Sequence, residues 1–206
     1  METLTKQIDT IVGPVVIQAS TSGLRRVELP GAGQLSLDLL WTQLNLPDTV
    51  PKAHHHLNDF GISLSIVSHN ELGPYGRGAV ECESPAEMVE RASDLVCRFF
   101  LGRLSVDELR FNLSMDLSSF SGFRMGVMEA MRAIPPGAVT TYGSLANAAG
   151  NPRAPRGAGA IVGANPLGLF VPCHRVVGAG GKLTGYGNAI PLKVAMLALE
   201  MRMAAS

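Results

Sequence analysis

The sequence predicts an α+β protein, with a small N-terminal α/β domain built on an antiparallel sheet and a mainly helical C-terminal domain. Three observations predict it. Residues 8–29 (IDTIVGPVVIQASTSGLRRVEL) are Val- and Ile-rich and read as two strands around a Ser-Gly turn. Residues 84–101 (SPAEMVERASDLVCRFFL) carry a helix-start signal and apolar residues at spacings of three and four. Residues 144–163 place two short helical segments around a glycine turn, the helix-turn-helix pattern.

The elements follow in order. Between residues 30 and 60, Pro30, Gly31, Pro47 and Pro51 break any periodicity, so irregular connections are expected. Residues 61–67 (GISLSIV) alternate apolar and polar as a half-buried strand does. In the 84–101 helix Ser84 can cap, Pro85 suits the first turn, and Glu87 has capping-box spacing. Cys97 falls in the apolar stripe and is expected in the core. The stretch 112–122 (NLSMDLSSFSG) marks the boundary, which divides the chain into domains 1–118 and 119–206.

Beyond it, a helix over 123–134 is stopped by Pro135-Pro136-Gly137, and 139–142 is a short extended piece. A helix over 144–149 ends at Gly150, and a second over 153–163 tolerates Pro155 only because it lies in the first turn. After VPCHRVV (171–177) a Gly-rich hairpin, GAGGKLTGYGN, leads into a last helix from about 191 to 203.

Composition excludes several classes. With 206 residues, 46% hydrophobic and 17% charged, the chain buries a core and is not disordered. Three scattered cysteines (Cys82, Cys97, Cys173) give no disulfide framework and leave at least one free thiol, as suits a reducing compartment. METLTKQIDT lacks the apolar core of a signal peptide, and no apolar run reaches membrane-spanning length, so a soluble intracellular protein is expected. The net charge of zero conceals a dipole: residues 1–119 hold 9 Lys+Arg and 15 Asp+Glu, residues 120–206 hold 8 and 2. A +6 C-terminal part points to a polyanion, or to attraction between the two parts. His54-His55-His56 is a run without ligand spacing, and no C-x-x-C occurs, so no metal is expected.

The chemistry centres on Cys173. A cysteine is a nucleophile when a base or cation favours the thiolate. His174 adjoins it, but neighbours on an extended chain face opposite ways, so a water or third group must complete a relay. Glu200, the only acid after Glu129, is the candidate to orient His174. The residues alone leave a catalytic and a structural thiol both open. The 153–163 helix is equally two-sided: RGAGAIVGAN offers Arg156 and then Gly and Ala, which suits either close groove contact without base readout or tight packing in a core.

VPCHRVV, preceded by RGAGAIVGANP and followed by GKLTGYGNAIPLKVAMLALE, resembles the O6-alkylguanine-DNA alkyltransferases across about residues 120–203. The first part resembles them more loosely, in IVGPVVIQASTSGLRRVEL. The resemblance implies a ribonuclease H-like N-terminal domain and a winged helix-turn-helix. It implies irreversible, stoichiometric transfer of an alkyl group from guanine O6 in duplex DNA to Cys173, with the base flipped out on the minor-groove side. By the same resemblance, His174 (through a water) and Glu200 deprotonate the thiol, Tyr142 protonates the leaving guanine, and Asn165 shapes the turn. Lys193 lies near the cysteine, and Arg175 ties the active-site strand to its surroundings. Arg156 is the finger that fills the stack, among Pro155, Gly157, Ala158, Gly159 and Ala160, with Tyr142 against the nucleotide's phosphate. Tyr186, Gly187 and Val176 wall the pocket. The implied partner is double-stranded DNA, largely independent of sequence, with no cofactor and no membrane; a monomer is expected, in a bacterial cytoplasm or a eukaryotic nucleus. Pro155 and Gly157 stand where the family usually has alanine, and the absence of cysteine before Cys82 predicts no zinc. A related alternative is an alkyltransferase-like protein that flags lesions without transfer, against which Cys173 itself argues.

Overall fold

The N-terminal stretch forms three strands, not two, in the computed structural model, which describes residues 2–47, 55–72, 84–185 and 189–205. Strands β1 (Thr3–Thr10), β2 (Gly13–Ser20) and β3 (Gly23–Glu28) make an antiparallel sheet in that order. Both turns are two residues long, with Thr10 opposite Gly13 and Ser20 opposite Gly23. TLTKQIDT escapes the pattern because β1 is an edge strand and mostly exposed, so it needs no apolar face. On β2 the inward residues Val15, Ile17 and Ala19 are fully buried. At Gly23, with φ of +123°, an added Cβ would lie 2.7 Å from the Ser114 carbonyl. That close approach lets Leu24 N–H donate to Ser114 O at 2.9 Å.

Helix α1 (Asp38–Gln43) follows, then β4 (Ser65–Val67) and helix α2 (Pro85–Phe100). Ser84 caps α2 as its sequence signals, its hydroxyl accepting from Glu87 N at 3.1 Å. Met88, Val89, Ala92, Val96 and Phe99 are buried beneath the sheet. Cys97 is half-buried rather than in the core, because it sits at the margin of that stripe. The strand expected over 61–67 shrinks to β4: Ile62 is buried, but Ile66 is 47% exposed, so the alternation does not run its length.

The C-terminal part comprises α3 (Gly122–Arg132), β5 (Ala138–Thr141), α4 (Tyr142–Ala148), α5 (Pro155–Gly163), β6 (Val176–Val177) and α6 (Ile190–Ala204). Thr141 caps α4 through Ser144 N at 3.1 Å, so Tyr142 opens that helix instead of ending a strand. Strands β4, β5 and β6 form a parallel sheet, which takes one strand from before residue 118 and two from after it. Helix α6 is buried on nearly every side, including Lys193 and Glu200, and serves as the central support of the site. Of the stretch expected as a hairpin after VPCHRVV, the described residues form a 3-10 turn over 179–181 spanned by a Gly178 N–H to Lys182 O bond at 2.8 Å, and Lys182 pairs with His56. Among the described residues no helix is long and apolar enough to cross a membrane.

Candidate active site

Cys173 does not lie on an extended strand. Residues Cys173–Arg175 form one turn of 3-10 helix between Pro172 and β6, so the opposite-faces argument fails for Cys173 and His174. All three side chains are buried, and Cys173 retains 8% exposure at the base of a cavity of about 670 Å3. One wall holds Tyr142, Gly159, Asn165, Gly185 and Leu192; the other comes from the N-terminal sheet, including Gln7, Val16 and Arg26.

Asn165 sets the approach to the cysteine. Its amide Nδ2 donates to Val171 O at 2.8 Å, and its Oδ1 accepts from Leu167 N at 3.1 Å. One side chain thereby braces both ends of the turn that runs from α5 to Pro172. Leu169, within that turn, has φ of +70° and is fully buried, so packing holds it in a left-handed conformation.

Behind the cysteine is a buried charged cluster. His174 Nε2 lies 2.8 Å from Glu200 Oε1, so this nitrogen carries the proton and donates it to the carboxylate. Arg175 donates to Glu200 through Nε at 2.9 Å and Nη2 at 2.7 Å. The same guanidinium reaches Ile134 O at 2.8 Å and Leu109 O at 3.1 Å, tying the turn to α3's end and to the N-terminal part. Burial alone would raise the Glu200 pKa. The Arg175 charge, with hydrogen bonds from His174 and Arg175, outweighs it and brings it down to about 2. Burial holds His174 below its usual pKa against the pull of Glu200, so Arg175 is the cation that keeps Glu200 ionised. Among the described residues the other ring nitrogen, Nδ1, is buried without a hydrogen-bond partner.

The Thr184 carbonyl gathers two groups. Tyr142 Oη donates to it at 3.3 Å and Lys193 Nζ at 3.0 Å; Lys193 also donates to Val176 O at 2.6 Å. Burial lowers the Lys193 pKa to about 8, while a Cys173 thiolate would raise it. Burial pushes the Tyr142 hydroxyl up, leaving it protonated and able to donate. Gly185, at φ +70°, gives Tyr142 its room, since an added Cβ would lie 2.7 Å from the hydroxyl. Gly185→Ala therefore combines a left-handed backbone with a clash. A cost of about 1–2 kcal/mol should lower the thermal midpoint by roughly 2–8 °C; an unchanged melting curve would contradict this packing.

Some expected residues sit elsewhere. On α5, Pro155, Arg156, Gly157 and Ala160 are exposed and Gly159 is half-buried against the Tyr142 ring. Ala158 is fully buried: it turns into the core and cannot face a ligand. Val176 does not line the cavity; it contributes only its carbonyl, to Lys193. Tyr186, Gly187, His54 and Cys82 lie outside the described residues. Sequence reasoning missed the Thr184 carbonyl, a backbone atom with no residue-type signal, and the wall from the three-stranded N-terminal sheet, which folding alone brings into the cavity that Cys173 lines. No group of three His, Cys, Asp or Glu side chains among the described residues is placed to hold a metal.

The chain is similar to known proteins in sequence and in fold. Residues 122–202 match the family model for the 6-O-methylguanine DNA methyltransferase DNA-binding domain. A methylated-DNA–protein-cysteine methyltransferase of Mycolicibacterium paratuberculosis is 43% identical over 104 residues, which is 50% of this chain and 60% of the relative. The chain thus spans under two thirds of that relative. One of the same name from Methanosarcina barkeri is 35% identical over 147 residues, 66% of this chain and 89% of the relative. The crystal structure of Mycobacterium tuberculosis O6-methylguanine methyltransferase superposes with a TM-score of 0.63 at 28% identity, covering 98% of this chain and 95% of that one. A structure of the M. tuberculosis protein in complex with DNA gives 0.62 at the same identity, covering 97% and 94%. With one relative 35% identical and matched over 89% of its length, the chain belongs to the methylated-DNA–protein-cysteine methyltransferase family.

Proposed function

We propose that this protein repairs DNA by moving an alkyl group from O6 of guanine to Cys173, and that each molecule acts once. The observation that carries the reading is Cys173 at the base of an open cavity, followed directly in its turn by the buried His174–Glu200 pair. The thiol proton passes through a water to the unpartnered Nδ1 of His174, and Glu200 and Arg175 stabilise the imidazolium that forms. The thiolate sulfur attacks the alkyl carbon in line, the carbon–O6 bond breaks, and its electron pair leaves with guanine. Tyr142 donates its hydroxyl proton to the leaving base, and Lys193 steadies the charge near the sulfur. The product is a thioether, with no route back to thiol.

The target oxygen lies inside a duplex, so the nucleotide must be extruded, at about a few kcal/mol. The exposed face of α5, with Arg156 at its start and Gly157 and Ala160 beyond, fits a minor groove closely and has few groups able to read base edges. Arg156 takes the place of the lost base in the stack. The reading extends to a division in which residues 119–206 bind DNA and accept the alkyl group, while residues 1–118 wall the cavity. Double-stranded DNA of any sequence is the substrate, and a monomer suffices.

The test is intact-protein mass spectrometry after incubation with duplex DNA containing O6-methylguanine. One alkyl group should appear on Cys173; binding without transfer leaves the lesion-flagging reading in its place. Replacing Arg156 by alanine should slow transfer from duplex by roughly five- to a hundredfold, the equivalent of about 1–3 kcal/mol of stacking. Transfer from the free base should change little, and equal losses on both substrates would remove the finger role.

A further inference from the structure

Residues 55–60, which the resemblance leaves without a role, touch the loop that carries the Thr184 carbonyl. That loop, GAGGKLTG over 178–185, holds four glycines in eight residues and has little stiffness of its own. Its own bonds, Gly178 N–H to Lys182 O at 2.8 Å and Gly181 N–H to Gly178 O at 3.2 Å, close only its first half, and outside contacts hold the rest. Leu183 N–H donates to His55 O at 2.7 Å, and His56 pairs with Lys182 in an antiparallel bridge. The His56 ring adds a side-chain bond: Nδ1–H donates to Gly180 O at 3.1 Å. His56 is itself fixed, its backbone N–H donating to the Asp59 carboxylate at 2.8 Å. The segment is rooted in the core by Leu57 and Phe60, with the Phe60 ring 6.5 Å from Trp41 and 5.7 Å from His55.

We infer that residues 55–60 form a strap that positions the pocket loop, with His56 a positioning residue acting on Tyr142 and Lys193 through the Thr184 carbonyl. The connection is short: Thr184 follows Leu183 directly, and its carbonyl accepts from both Tyr142 Oη and Lys193 Nζ. If Gly180 and Leu183 slacken, that shared acceptor moves, and with it the proton donor and the cation beside Cys173. The strap's bonds described above run to Gly180, Lys182 and Leu183 and none of them to α5, so its effect falls on the chemical step and not on DNA affinity. The kinetic part of this inference rests on the alkyl-transfer reading; the structural part does not.

Two variants separate the possibilities. His56→Ala removes the ring donor, whereas His56→Asn places an amide N–H near Nδ1. Single-turnover transfer from an O6-methylguanine duplex should slow by roughly three- to tenfold in His56→Ala, as expected for one lost hydrogen bond. The dissociation constant for unmodified duplex should stay the same, and His56→Asn should recover most of the rate. Amide hydrogen exchange over 178–185 should quicken in His56→Ala and not in His56→Asn. An alanine variant that transfers at the wild-type rate, or an asparagine variant slowed equally, overturns the positioning role. If the wild-type protein transfers nothing, the alkyl-transfer reading fails, and the exchange data alone then uphold or overturn the strap.

Discussion

Cys173→Ala is expected to abolish alkyl transfer completely while leaving the fold and DNA affinity in place. The loss is total because the variant lacks the accepting atom, unlike a variant that removes a group assisting it. The fold should survive because the thiol is small, and the cluster that braces its turn runs through His174, Arg175 and Glu200. Peptide mapping of alkylated wild-type protein, beside DNA binding by the variant, checks both halves. Alkylation persisting in the variant at Cys97, which is half-buried on α2, would show that the acceptor has been misassigned.

Glu200→Gln is the second large effect, and it strikes stability as well as chemistry. The carboxylate is fully buried between His174 and Arg175, and the amide leaves the guanidinium without its counter-charge. Breaking a buried pair in this way costs about 3–5 kcal/mol, which corresponds to a fall of roughly 6–20 °C in thermal midpoint. Transfer should slow as well, since the imidazolium formed at His174 loses its stabilising anion. A variant melting with the wild type would show that the cluster contributes nothing net.

The same cluster sets a dependence on acidity. Glu200 has a folded pKa of about 2, below its ordinary value near 4.5, so the unfolded chain binds the proton first as pH falls. Its contribution, on the order of 3 kcal/mol, is present above about pH 4.5 and is lost toward pH 2. His174 acts in the same direction: held neutral by burial, it favours the unfolded chain as pH drops below about 6.5. Wild-type stability should begin to fall near pH 6 and drop more steeply below 4.5. Denaturant midpoints across that range test the sign, and Glu200→Gln should flatten the lower limb.

Much of this protein is legible before folding. Periodicity and capping located α2 to within a residue, because Ser84, Pro85 and Glu87 act on their own turn. Local rules failed where the environment decides. β1 is a polar edge strand, and β4 is short because Ile66 faces out. Ala158 looks like its outward neighbours on α5 but turns inward, since helix rotation depends on what α5 packs against. The 3-10 turn at Cys173 follows from a bracing network whose partners lie up to 66 residues away.

By itself the sequence determined the Cys-His-Arg motif, the helix-turn-helix, the charge division and the pairing of Glu200 with His174, all carried by residue type and spacing. Only the tertiary structure decided what surrounds Cys173: the wall from the N-terminal sheet, the Thr184 carbonyl shared by Tyr142 and Lys193, and the strap at His56. The physical reason is that these are backbone atoms and long-range contacts. A peptide carbonyl is the same group in every residue, and its role is set by what folding brings within hydrogen-bonding distance.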